Sequence, residues 1–170
     1  FNESVYQDQK FMELVQALEG YHRIRHPEKS IASEDHLAKI RTITEHCPPG
    51  HLKWLESKLK RSHEPSLPER LRELANEFKD LIDGLTGSTQ NTNRLIDTIV
   101  QSRNNYAHCL NKGEKEFAIT YRYNLINLMQ KLIAAWFTYE LGFNKEQVEK
   151  IIRSNWNFRQ LTNYFAEDEN

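Results

Sequence analysis

Apolar residues recur along this chain at three- and four-residue intervals, broken by proline and glycine, and nowhere alternate as a strand would. Residues 1–25 predict an opening helix with Phe11, Leu14, Val15, Leu18 and Ile24 on its apolar stripe, and Pro27 stops it. Glu19, His22 and Arg23 near its end read as a solvated face. Residues 31–46 predict a weaker helix bearing Leu37, Ile40 and Ile43, broken by Pro48-Pro49-Gly50. Leu52, Leu55 and Leu59 with Trp54 mark a short, lysine-rich third helix. His63–Pro68 reads as a connector. Pro68 suits the first turn of a longer helix carrying Leu71, Leu74, Ala75, Phe78, Leu81 and Ile82, which Gly84 and Gly87 end.

Ser88 or Thr89 can cap the next helix, whose stripe is Leu95, Ile96, Ile99 and Val100; it runs to about Leu110, where Asn111-Lys112-Gly113 interrupts. The strongest helical pattern follows, with Leu125, Leu128, Met129, Leu132, Ile133, Trp136 and Phe137 read as core. Gly142 closes it, Asn144 can cap a short helix through Val148, Ile151 and Ile152, and Trp156 to Phe165 adds another. The expected fold is all-α, a helical bundle with additional short helices.

Composition narrows the classes. One domain with a sizeable core fits 170 residues. With 23 basic and 24 acidic residues the net charge is −1, so binding to nucleic acid requires a local patch. No apolar run approaches the roughly 20 residues of a membrane span, and there is no signal-peptide pattern. Cys47 and Cys109 form no disulfide framework, which points to a reduced, cytoplasmic protein. There is no Gly-rich phosphate loop, no G-x-S-x-G turn and no H-E-x-x-H pair. Zinc accepts the ligand types of His46, Cys47, His51, His108 and Cys109, but their spacing matches no closed site. They read as surface and loop residues, and no metal is expected.

One group stands apart. Arg103 lies four positions beyond Ile99 and seven beyond Ile96, which carries a guanidinium toward the packing face of its helix. Asn104 and His108, four apart, share a helical face. Arg103-Asn104-x-x-x-His108 resembles the R-x(4–6)-H signature of HEPN domains. The order that follows, a long helix ending Tyr139-Glu140-Leu141-Gly142-Phe143, then Asn144-Lys145-Glu146-Gln147-Val148 and later Asn157-Phe158-Arg159, resembles the Apea-like branch. So does the opening Leu14-Val15-Gln16-Ala17-Leu18-Glu19-Gly20-Tyr21-His22-Arg23, so that the likeness spans about residues 11 to 160.

The resemblance implies a helical bundle that pairs about a two-fold axis and cuts RNA without metal or other cofactor. It also implies a role in anti-phage defence or toxin-like growth control. It assigns catalysis to Arg103, Asn104 and His108. Leu110 stands where some toxin relatives have a modified tyrosine, so regulation through that tyrosine is not expected. Apea-like domains often end larger proteins. A start at Phe1 fits an excised C-terminal part, with a sensor domain before it, and residues 1–170 then form a single HEPN-like domain.

Helical geometry adds a constraint. At about 100° per residue, Arg103 and His108 lie roughly 140° apart, so one helix does not easily aim both at a single phosphate. A distorted helix or an isologous homodimer resolves this. His108 is suited to proton transfer around a ribose 2′-OH or a leaving 5′-oxygen, and Arg103 to charge on the phosphorane. Lys112, Lys115 and Arg122 are candidate RNA contacts, and Glu19 a candidate partner orienting Arg103. The alternative is a non-catalytic dimerisation or nucleotide-sensing module. In that reading Arg103 ties two helices together and His108 interacts with the dipole at its helix's C-terminal end. Tyr106 reads as packed.

Overall fold

The computed structural model describes the backbone of residues 3–108 and 119–154, and the side chains of residues 6–106 and 123–154. Among the described residues there is no strand. The helices are α1 (Glu3–Arg25), α2 (Glu34–Glu45), α3 (Leu52–Leu59), α4 (Leu67–Glu77), α5 (Lys79–Thr86), α6 (Thr89–His108), α7 (Ile119–Glu140) and α8 (Lys145–Ser154). The expected all-α bundle is therefore the observed one. The stretch from Trp156 to Phe165 and the Asn111–Gly113 break lie outside the described residues.

Four helices make the centre. α1 packs on α7, α4 and α6, while α6 also lies along α4 and α5 and α8 docks on α7. Phe11, Val15 and Leu18 of α1 meet Leu74 of α4, Leu81, Ile82 and Leu85 of α5, Ile99 of α6 and Leu125, Met129 and Trp136 of α7, all almost wholly buried. Such burial is worth about 1.5–3 kcal/mol per large aliphatic or aromatic side chain before the entropic cost of folding is set against it. By contrast α2 and α3 contain no buried residue and pack on each other outside this core.

Three expectations from periodicity change. Ile24 is 81% exposed and Phe137 65% exposed, so neither belongs to the core. Ile24 lies six positions beyond Leu18 and Phe137 one beyond Trp136, about 240° and 100° around their helices, so each faces away from the buried stripe. The long helix predicted to start at Leu67-Pro68-Glu69-Arg70 and to end at Gly84 and Gly87 is two helices. Phe78 leaves helical geometry at φ −118°, ψ 41°, and its N–H turns back to Ala75 O at 3.2 Å. Its ring packs edge-on to Trp136 at 4.7 Å and to Tyr139 at 5.8 Å. Gly84 lies inside α5, against the Arg153 guanidinium, which donates to Asp80 O at 2.9 Å and so ties α8 to α5.

Local chemistry sets the helix ends. Ser66 N–H donates to Glu69 Oε2 at 2.7 Å in a capping box, with Pro68 in the first turn of α4. Asn144 and Gln147 exchange side-chain and backbone bonds at 2.9 Å to start α8. The turn into α6 is fastened more heavily. Thr86 and Thr92 hydroxyls meet at 2.8 Å, Thr92 donates to Asp83 Oδ1 at 3.0 Å, and the Asn91 amide donates to Thr86 O at 3.0 Å. Ser88 Oγ accepts from Asn91 N–H at 3.1 Å, the expected cap. Burial raises the Asp83 pKa, but Lys79, Thr89 and Thr92 outweigh it and hold the carboxyl below its ordinary value.

A buried polar relay joins α1 to α4. His22, expected on a solvated face, has no exposed side-chain surface. Arg70 Nη1 lies 3.1 Å from His22 Nδ1, and His22 Nε2 lies 2.6 Å from Glu73 Oε2. A guanidinium only donates, so Nδ1 accepts and the proton sits on Nε2, donated to Glu73. Arg70 is itself buried and fixed by Pro65 O at 2.9 Å and Glu64 at 3.3 Å. Burial pushes the His22 pKa below its ordinary value, and Arg70 and His26 act in the same direction; Glu73 opposes them without prevailing.

Two predictions follow from these contacts. Gly87 ends α5 at φ +86°, a conformation that side chains resist, so Gly87→Ala should destabilise the protein by about 1–2 kcal/mol in urea unfolding. For His22, the unfolded chain takes up a proton below pH ~6.5 while the buried imidazole resists it, so stability falls as pH drops through that point. Lys29 holds Glu73 charged, and its depressed pKa adds a further loss only below its ordinary carboxylate range. Unfolding midpoints measured between pH 8 and pH 5 should decline for the wild type (on the order of the window set by an imidazole) and be flatter for His22→Gln.

Candidate functional site at the end of α6

Helix α6 presents its buried side through Leu95, Ile99 and Ser102 and continues it with the partly buried Tyr106, whose ring lies 5.9 Å from Phe11 on α1. That stripe runs at four- and three-residue steps, so it passes beside Arg103 and not through it. Arg103 accordingly sits at the edge of the packed face, partly exposed, and Asn104 and Asn105 face solvent. The expectation that Arg103 points into the packing face is thus corrected by about one position on the helical wheel.

The structure brings two of the sequence-derived residues together. Arg103 Nη1 donates to Asn104 Oδ1 at 3.2 Å. This bond holds the guanidinium against its neighbour and uses one of its five N–H donors. His108 lies in the last turn of α6, but its side chain is outside the described residues, as are Lys112 and Lys115 entirely and the side chain of Arg122.

Glu19 has a different partner from the expected one. It accepts from Arg23 Nη2 at 3.0 Å, and Arg23 also reaches Glu64 at 2.8 Å. Residues four apart on a helix are neighbours, so Arg23 is available to Glu19 without any long-range alignment. The pair raises the Arg23 pKa chiefly through the Glu19 hydrogen bond. Arg103 is not oriented by Glu19 in this structure; its adjacent Asn104 takes that place.

Sequence reading missed a second polar centre, where the C-terminal half of α1 passes α4 and α7. Arg25 stacks over Trp136 at 5.0 Å and Tyr139 at 5.3 Å, and bonds Glu140 at 2.8 Å. His22 and His26 stand with their rings 4.7 Å apart. Their i, i+4 spacing was the available signal, as was that of Glu73 and Glu77. The histidines singled out for zinc behave otherwise: His46 Nδ1 is engaged with Thr42 O at 2.7 Å on an exposed surface, and Cys47 is a free thiol.

No helix among the described residues is long and apolar enough to cross a membrane. Neither curated proteins nor solved structures supplied a match. A family model, that of the Apea-like HEPN domains, matches residues 12–147, from the first turns of α1's buried stripe to the capping box of α8. The chain belongs to the Apea-like HEPN family.

Proposed function

We propose that this chain is a metal-independent endoribonuclease of HEPN type, acting in anti-phage defence or toxin-like growth control. The observation that carries the reading is the Arg103–Asn104 pair, hydrogen-bonded and solvent-accessible near the end of α6, where the sequence resembles the R-x(4–6)-H signature. A cation held at the edge of a rigid helix is suited to an anionic phosphate from solvent, since little ordering remains to be done when the ligand arrives.

In the proposed reaction the ribose 2′-oxygen attacks its own 3′-phosphorus. His108 handles the 2′-OH proton or protonates the 5′-oxygen as the P–O5′ bond breaks, giving a 2′,3′-cyclic phosphate and a 5′-hydroxyl. Arg103 holds the charge that grows on the non-bridging oxygens. Asn104 keeps the guanidinium in place, and Lys112, Lys115 and Arg122 flank the strand. The homodimer proposed here brings both copies of Arg103 and His108 to one groove, which answers the roughly 140° between them on a single helix.

The test is cleavage of end-labelled single-stranded RNA in excess EDTA. Wild type should cut and leave cyclic-phosphate ends, while DNA of the same sequence survives. Arg103→Ala should slow cutting by about 10²–10³-fold and His108→Ala by about 10²–10⁴-fold. Equal cutting by all three proteins would assign the activity elsewhere. No cutting by any of them, in a dimer of normal stability, would favour the non-catalytic module.

A further inference from the structure

The cluster on α1 and α4 has the makings of a metal site. His22 lies in the last turn of α1 and His26 just past its end, its N–H donating to His22 O at 2.9 Å, while Glu73 and Glu77 project from one face of α4. One ligand atom each from His22, His26 and Glu73 lies within 4.8 Å of the others. His26 Nε2 is buried and makes no hydrogen bond, although Glu77 Oε1 is 3.4 Å away. Its Nδ1 lies 3.4 Å from Glu28 Oε1. An imidazole with a free inner nitrogen and a carboxylate behind its outer one is the usual arrangement of a metal-ligating histidine.

We propose that His22 Nε2, His26 Nε2 and Glu73 bind one zinc-type divalent ion, with Glu77 beside the fourth position, and that this ion locks α1 to α4. Two imidazoles and a carboxylate match zinc, whereas calcium and magnesium prefer oxygen donors throughout. Two ligands on tetrahedral bonds of about 2.0 Å stand about 3.3 Å apart. The His22–Glu73 contact of 2.6 Å therefore opens by less than an ångström on loading. Glu73 is 37% exposed, which gives the ion a way in.

Loading gives up the His22–Glu73 hydrogen bond itself and exchanges two further contacts. Lys29 Nζ, 2.6 Å from Glu73 Oε2, yields that oxygen. The His22 proton moves from Nε2 to Nδ1, where it faces the Arg70 Nη1 donor 3.1 Å away, so the Arg70 side chain must turn aside from the ring. Each exchange lowers affinity, and the first makes Lys29 a competitor of the metal.

The experiment is calorimetric titration of metal-stripped protein with zinc chloride, paralleled by visible absorption with cobalt(II), with circular dichroism confirming that every variant folds. Wild type should take up one zinc per chain, give tetrahedral cobalt bands and melt higher with zinc than without. His26→Ala and Glu73→Gln should each lose the titration heat and the cobalt bands, and Lys29→Ala should bind zinc more tightly than wild type. Glu73→Gln keeps an acceptor for His22 and so separates metal binding from folding. Absence of binding by wild type, or wild-type affinity in either ligand variant, overturns the proposal.

Discussion

The bundle depends on satisfying one buried imidazole. His22 has no exposed surface, so both ring nitrogens must find partners inside the protein. They find Arg70 and Glu73, both on α4, which fixes the rotation of α1 about its axis and its height along α4. With that rotation set, Phe11, Val15 and Leu18 turn toward the core, Arg25 turns onto Trp136 and Tyr139, and Arg23 turns outward to Glu64. An apolar stripe alone tolerates slippage, because hydrophobic burial is non-directional. Hydrogen bonds to a buried group do not, since a lost partner costs about 1–3 kcal/mol.

A second polar anchor sets α6. The Thr86, Thr92 and Asp83 bonds hold the first turn of that helix against the end of α5, and Tyr106 on Phe11 holds its last turns against α1. Arg103 lies between a fixed start and a packed end, so its exposure follows from the helix and not from its own contacts. Its single described bond, to Asn104, joins adjacent side chains on the helix and restrains the guanidinium without burying it. That combination differs from a structural arginine such as Arg70, which is buried and held from three directions.

Most of the helices were legible because burial imposes a period on each of them separately. What escaped depends on contacts between distant segments. The Leu71–Ile82 stripe keeps perfect helical spacing across Phe78, so periodicity does not register the break, which coincides with aromatic packing on α7. Phe137 and Ile24 are apolar residues turned away from the buried stripes of their helices, which composition alone does not reveal. His22 looked solvated because its partners are 48 and 51 positions away. For the candidate site, the Arg103–Asn104 adjacency was visible in the sequence. The partner of Glu19 was visible too, as an i, i+4 pair with Arg23.

The metal proposed between α1 and α4 and the chemistry proposed on α6 are compatible because of where the two groups sit. Phe11, the residue that meets Tyr106, and His22 are separated along α1 by about 16 Å at 1.5 Å per residue. An ion held by His22 would lie far beyond bonding distance of a phosphate at the proposed Arg103 site, so it would neither polarise the phosphoryl oxygen nor supply a hydroxide. Its effect travels through α1 as rigidity: it replaces a salt-linked contact between α1 and α4 by coordinate bonds, and α1 is the surface on which the end of α6 rests. Chelation would then loosen the support of the site while leaving the proposed acid–base groups in place, so metal removal would lower thermal stability without removing a reactant.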